Sequence, residues 1–332
     1  MDASAHLNFV SLNAALKAAG EETRLRILAL LAEAELTVSD LTQILRQSQP
    51  RISRHLKLLA EAGLVERFRE GTWAFFRLAD TGAGAELARA ILAQLNLSDR
   101  VIKRDRERLA SVRAARAAAA QKYFREHAAD WDKIRKLHVA DAAVEETIRA
   151  ALAGPPFRAL LDLGTGTGRM LEIFGPRVER AIGIDNSREM LAVARVNLER
   201  ANLRNCAIRQ GDIYQLPFAD AGFDAAIFHQ VLHYADRPGE AIAEAARMLR
   251  HDGRLAIVDF APHALEFLRS EQAHRRLGFA DTEITGWCRE AGLVPEPVRH
   301  LVGHPLTVSI WVAQRRREDL QAAVTPPRAT AS

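Results

Sequence analysis

Cysteine is almost missing from this chain: two among 332 residues, Cys206 and Cys288. They stand far apart without a metal-type spacing, so neither a disulfide framework nor a thiolate metal site organises the fold. No apolar run approaches the roughly 20 residues that span a bilayer. No basic leader with an apolar stretch opens the chain, so a cytoplasmic protein with no membrane partner is expected. A dominant charge is missing too: 46 Lys+Arg against 42 Asp+Glu leave a formal net charge of +4. That is too mild to argue for nucleic acid by itself, and the placement of the charges decides. What is present is an ordinary apolar fraction of 48% and a length suited to two domains.

The rest of the chain is organised around residues 159–169, Ala-Leu-Leu-Asp-Leu-Gly-Thr-Gly-Thr-Gly-Arg. An apolar strand that ends in glycines and turns into a helix lets a ligand touch bare backbone beside a helix N-terminus. The next strand, residues 180–184, runs into Asp185, placed about where a carboxylate accepts from ribose hydroxyls, roughly 20 residues beyond the glycines. A dinucleotide fingerprint would need its third glycine where Arg169 stands. Gly164, Gly166 and Gly168 instead resemble the first motif of the class I S-adenosylmethionine (SAM) methyltransferases, an acidic residue followed by Gly-x-Gly-x-Gly. Downstream blocks keep that family's order. Gly211-Asp212 follows a strand at 206–210, a strand at 223–228 runs into His229-Gln230-Val231-Leu232-His233-Tyr234, and residues 248–260 read as a helix end, a turn at Asp252-Gly253 and a strand closing on Asp259. The resemblance implies an α/β, Rossmann-like domain with SAM as cofactor. Its implied cofactor residues are Asp162, Gly164, Thr165, Gly166, Gly168, Asp185, Asn186, Asp212, Ile213 and His229.

Residues 1–80 show helical periodicity first and strand alternation last. Leu25, Leu28, Ala29 and Ala32 mark one amphipathic helix; Thr37-Val38-Ser39-Asp40 opens another with a capping-box pattern. A third starts at Ser48 with Pro50 in its first turn and Ile52, Leu56 and Leu59 as its buried stripe. Residues 64–69 and 72–78 alternate about Glu70-Gly71 as a β-hairpin wing. Three helices and a wing put the third helix in a DNA major groove, and Gln49, Arg51, Ser53, Arg54, Lys57 and Arg69 are the expected DNA-binding set. The runs Ser53-Arg54-His55-Leu56-Lys57 and Ala62-Gly63-Leu64-Val65-Glu66 resemble the ArsR-type winged-helix repressors over most of residues 8–80. That implies double-stranded DNA as partner and a homodimer. The best-known metal sensors of that family carry two cysteines in the segment where Thr37 and Ser39 stand. Neutral hydroxyls are poor ligands for soft metals, and residues 81–126 hold no histidine; no metal is expected.

Residues 84–122 contain no proline and favour helix, with Leu87, Ile91, Leu92 and Leu95 as a dimerisation stripe and the basic run 100–116 as a solvated face. Tyr123 and Trp131 resemble a segment that folds over the cofactor in small-molecule methyltransferases; core packing is the competing reading. Gly154-Pro155-Pro156 marks the turn into the core. His274, Arg275 and Arg276 within 273–279 are placed on the acceptor side, and strands are expected at 298–301 and 307–313. The expected domains are a winged helix-turn-helix (1–80), a helical linker and dimerisation segment (81–122), a methyltransferase domain (123–315) and a disordered tail with Pro326-Pro327 (316–332).

Methyl transfer from a sulfonium is an in-line displacement, which needs alignment and exclusion of water, and a base only where the acceptor must lose a proton. His233 and His229, just past the fourth core strand, are the candidate bases. The Asp/Asn-Pro-Pro-aromatic motif of amino-methylating nucleic-acid enzymes is missing at His229-Gln230-Val231-Leu232. Neither cysteine follows a proline, as cytosine-carbon methylation needs, and two separated cysteines do not supply the thiolates of arsenite methylation. A small-molecule acceptor remains. The alternative is a non-catalytic sensor whose operator affinity responds to SAM or S-adenosylhomocysteine.

Overall fold

The computed structural model describes residues 6–70, 73–79, 82–135, 140–153, 157–272 and 274–316. Helices α1 (Phe9–Ala19) and α2 (Glu22–Leu31), strand β1 (Leu36–Thr37), helices α3 (Val38–Leu45) and α4 (Gln49–Glu61) and the hairpin β2 (Val65–Glu70) and β3 (Trp73–Leu78) come first. Helices α5 (Gly82–Ala93), α6 (Arg100–Arg135) and α7 (Asp141–Ala151) follow. Strand and helix then alternate through β4 (Ala159–Leu163), α8 (Arg169–Phe174), β5 (Arg180–Asp185), α9 (Arg188–Arg200), β6 (Cys206–Gln210), β7 (Phe223–His229), α10 (Pro238–Met248) and β8 (Leu249–Phe260). Helices α11 (Phe267–Gln272) and α12 (Asp281–Glu290) precede β9 (Val294–Pro295), β10 (Arg299–Leu301) and β11 (Val308–Gln314). The chain forms two compact units: residues 1–128 with 165–172 and 183–211, and residues 129–164 with 173–182 and 212–332. Gly71, residues 154–156, Ala273 and Pro326-Pro327 lie outside the described residues, as do the side chains of Arg69, Tyr123 and Trp131.

In the first unit α1 to α4 enclose an apolar core, with a small antiparallel sheet of order β1-β3-β2. Ile52, Leu56 and Leu59 of α4 are buried in it, while Gln49, Arg51, Ser53, Arg54 and Lys57 are exposed. Thr37 caps α3: its hydroxyl accepts the Asp40 N–H at 3.1 Å, and Asp40 accepts the Thr37 N–H at 2.7 Å. Thr37→Ala should therefore lower stability by about 1 kcal/mol, read as a shifted denaturant midpoint at unchanged slope.

Four expectations about this unit need correction. The buried side of α2 is Thr23, Ile27, Leu28, Leu30 and Leu31, with Leu25 and Ala29 only half-buried. Ser48 occupies the N-cap of α4 without a capping hydrogen bond. The helical stretch from residue 84 is interrupted between α5 and α6, where Asn96 accepts the Ser98 N–H and Asp99 accepts the Val101 N–H; Leu87, Ile91 and Leu92 pack against the winged-helix core itself. The basic run of α6 is solvated only in part: Arg100, Lys103 and Arg104 are exposed, while its other arginines are paired. Asp105 is buried and takes a bidentate pair from Arg26 at 2.7 and 2.8 Å, Arg106 pairs with Glu33 at 2.7 Å, and Arg116 pairs with Asp40 at 2.7 Å. Leu109 and Val112 join the core between these charges.

The larger sheet has eight strands in the order β10-β11-β8-β7-β4-β5-β6, with β9 beside β11. Strands β4, β7 and β8 pair in parallel and β11 runs antiparallel to β8. All five residues of β4 are buried, as a parallel strand covered on both faces requires. This is a Rossmann-like sheet with an antiparallel edge, and it aligns the carboxyl ends of β4, β7 and β8, where ligands of such folds bind.

Candidate functional site

The glycine loop is built by backbone geometry. Gly164, Gly166 and Gly168 take φ of 71°, 52° and 83°, the left-handed region that favours glycine. Two of them serve different ends. A Cβ on Gly164 would lie 2.4 Å from Val231 Cγ2, so the side-chain-free position is demanded by packing; a Cβ on Gly166 would meet nothing within 4 Å. Open space therefore stands beside the Gly166 backbone, which suits a ligand resting on that backbone.

In the first unit the loop is tied to the end of β5. The Thr165 N–H donates to the Ile184 carbonyl at 2.8 Å, and Asp185 accepts the Gly166 N–H on Oδ2 at 2.9 Å and the Ser187 N–H on Oδ1 at 2.8 Å. Each carboxylate oxygen keeps accepting capacity for a further donor. Burial raises the pKa of Asp185 above the usual carboxylate value, against the lowering effect of the backbone N–H donors. Ser187 caps α9 by accepting the Met190 N–H at 3.2 Å. Asn186 is exposed, and its carbonyl accepts from Gln210 at 2.9 Å. Gly168 donates to the Thr165 carbonyl at 2.8 Å.

In the second unit Asp162 is buried in β4, Asp212 is exposed and accepts the Tyr214 N–H at 3.0 Å, and Ile213 is half-buried. His229 ends β7 opposite Val258, half-buried. The chain then reverses through Gln230 at φ 56° into the short helical turn Leu232–Tyr234. That turn buries His233 to 2% exposure against Asp259, which is fully buried. His233 Nδ1 lies 2.8 Å from Asp259 Oδ1, and Asp259 also accepts the backbone N–H of His233 at 3.1 Å and of Phe260 at 2.8 Å. With Asp259 acting as acceptor on both oxygens, Nδ1 is the donating nitrogen and Nε2 carries the lone pair. The pair has the geometry by which a carboxylate orients an imidazole in acid–base catalysis.

Sequence reasoning assigned no site role to Asp259 and placed His274 only on the acceptor side. Asp259 sits one residue past the β7–β8 pairing of His229 with Val258, an adjacency that only the parallel register creates. His274 is 3% exposed and stacks on His233 at 4.1 Å, and neither ring nitrogen has a hydrogen-bond partner. Burial, aided by the neighbouring His233, pushes its pKa down to about 4. Cys288 is buried, and that burial pushes its thiol up to about 12.

Comparison with known proteins agrees with both halves. Residues 161–257 match the family described as "Methyltransferase domain", and residues 21–67 match "Bacterial regulatory protein, arsR family". The uncharacterized methyltransferase YcgJ of Bacillus subtilis is 36% identical over 104 residues, 31% of this chain and 41% of that protein. The arsenical resistance operon repressor of Escherichia coli is 52% identical over 63 residues, 19% of this chain and 54% of the repressor. The chain thus spans about half or less of the length of these two relatives. The uncharacterized protein YafE of Escherichia coli is 33% identical over 151 residues, 42% of this chain and 70% of that protein. Among the described residues no helix is long and apolar enough to cross a membrane.

Proposed function

Because this chain joins an arsR-family helix-turn-helix domain to a class I methyltransferase domain, we propose that it binds double-stranded DNA and transfers a methyl group from SAM to a small molecule. The observation that carries the reading is Asp185, which closes the glycine loop through the Gly166 N–H while keeping accepting capacity beside open space. Asp185 and Asn186 take the ribose. The backbone of Gly164, Thr165, Gly166 and Gly168 forms the floor, Asp212 and Ile213 meet the adenine, and Asp162 and His229 complete the set. When bound, SAM supplies an electrophilic methyl group on a sulfonium.

The chain's own part is alignment and proton handling. His233 Nε2 accepts the proton that the acceptor loses, and Asp259 holds the ring in the correct tautomer and stabilises the imidazolium that results. Cys288, held as a thiol, offers no nucleophile. Incubating the purified protein with SAM and a metabolite extract should accumulate S-adenosylhomocysteine; no product above a protein-free control overturns the catalytic reading.

On the DNA side, α4 presents Gln49, Arg51, Ser53, Arg54 and Lys57 to solvent, and Arg69 of the wing is the sixth residue of the proposed DNA-binding set. We place the protein in the cytosol as a homodimer, supported by the exposed Phe9, Val10, Leu12 and Leu16 of α1, with a near-palindromic operator. Arg54→Ala should cost about 1–3 kcal/mol per half-site and relax preference at one base pair. A gel-shift series in which the variant binds like the parent removes Arg54 from the readout.

A further inference from the structure

We propose that the cofactor loop has a second function as the sensing input of the DNA-binding domain, with helix α9 carrying the signal. The inference rests on the reading of Asp185 and Gly166 as cofactor-binding residues.

The path is continuous within the first compact unit. Asp185 accepts from Gly166 in the loop and from Ser187, the N-cap of α9. Ligand hydroxyls that engage Asp185 therefore act on the first turn of α9. From Ser187 to Glu199 a helix spans about 18 Å, and its far half is held by charges of the winged-helix domain. Arg195 lies 3.5 Å from Glu35 and packs its guanidinium 4.1 Å from the Phe75 ring centroid. Glu199 stands between Arg113 and Arg116 of α6, 3.7 Å from each. Arg209 of β6 completes the seam, 2.8 Å from Glu35 and 3.5 Å from the centroid of Phe68.

This seam ends on the parts of the winged helix that set its shape. Phe68 and Phe75 are the stacked cross-strand pair of the wing, their centroids 5.6 Å apart. Glu35 immediately precedes β1, and Arg116 donates to the Glu35 carbonyl at 3.2 Å and to Asp40, the capping-box residue of α3, at 2.7 Å. Helix α3 leads directly into α4. Arg195 and Arg209 are each only 8% exposed. Buried ion pairs add little stability over apolar contacts of the same size, and their best-attested use is to fix one register. A register that both a ligand at Asp185 and DNA at α4 bias is what coupling between two sites requires. The helical stretch between the two families' regions is interrupted between α5 and α6, so it offers no single-helix route, and α9 supplies one.

The test uses the full chain, S-adenosylhomocysteine as the ligand probe, and a duplex that the protein itself selects from a random pool. Saturating S-adenosylhomocysteine should change the affinity for that duplex about fivefold or more, and the duplex should change the affinity for S-adenosylhomocysteine by the same factor. Glu35→Gln and Glu199→Gln should bring the factor towards one. Amide exchange in the unsubstituted protein supplies a readout that needs no variant: S-adenosylhomocysteine should alter protection in residues 65–70, 73–78 and the first turn of α3. Binding of both probes with equal affinities and unchanged exchange overturns the proposal and leaves the cofactor site standing. Full coupling retained in folded Glu35→Gln and Glu199→Gln proteins overturns the α9 route. Failure to bind S-adenosylhomocysteine at all overturns the cofactor site, and the sensing function with it.

Discussion

Asp185→Ala is expected to lower affinity for SAM by roughly 10- to 150-fold, the equivalent of about 1.5–3 kcal/mol for hydrogen bonds to a charged acceptor. Two losses combine. The proposed ribose contact loses its acceptor, and the N–H groups of Gly166 and Ser187, from which Asp185 accepts, lose theirs. The second loss loosens the loop and the start of α9 together. Asp185→Asn, which keeps size and one acceptor oxygen, should lose less. The burial that raises the pKa of Asp185 adds a pH signature. The ionised form is the one that accepts from the two backbone donors and, in the proposed site, from the ribose. Affinity should therefore fall on acidification as the pH drops through a pKa above the ordinary aspartate value, and be fully present above it. Calorimetry at two pH values checks both statements, and an unchanged dissociation constant in a folded Asp185→Ala protein removes the ribose assignment.

His233→Gln is expected to cost about 10²- to 10⁴-fold in kcat, the usual contribution of a positioned general base, with SAM affinity within a few-fold of the parent. The ring is pinned by Asp259 at 2.8 Å and by its own backbone N–H to the same carboxylate. Asp259→Asn should thus be costly as well, since an amide in that place permits the wrong tautomer. His274, whose pKa burial pushes down to about 4, is neutral near neutral pH and brings no charge to the His233 ring. Retention of kcat within about threefold would exclude His233 as base, since such a loss falls far below the general-base range.

Much of this was legible in the sequence because the elements announce their own ends. The apolar run 159–163 stops at glycine, residues 180–184 stop at Asp185, and the Thr37–Asp40 pattern is a cap whatever surrounds it. What stayed hidden depends on partners distant along the chain. The arginines of α6 read as a solvated face because Arg26, Glu33, Asp40 and Glu199, with which the run pairs, lie dozens of residues away. The Asp259–His233 pairing arises from neighbouring parallel strands, which no local pattern encodes. The interruption before α6 did carry a local sign: Asn96 and Asp99 are turn and cap residues whose side chains compete with the helix for backbone N–H groups. The offset on α2 reflects an apolar pattern wide enough to fit two faces, which packing against α4 resolves.

The contact of Phe68 and Phe75 with Arg209 and Arg195 bears on how such a chain can be inherited. A recombination joint at residue 122 would divide the sequence between its two recognisable families. It would also strip the wing of the guanidinium groups that cover its aromatic pair, and leave Arg113 and Arg116 without Glu199. A winged-helix fragment cut free there presents two bare phenylalanine rings to water, and the other fragment presents two arginines whose carboxylate, Glu35, has gone with the first. The two regions share ion pairs and cation–ring contacts that neither keeps when the chain is divided there.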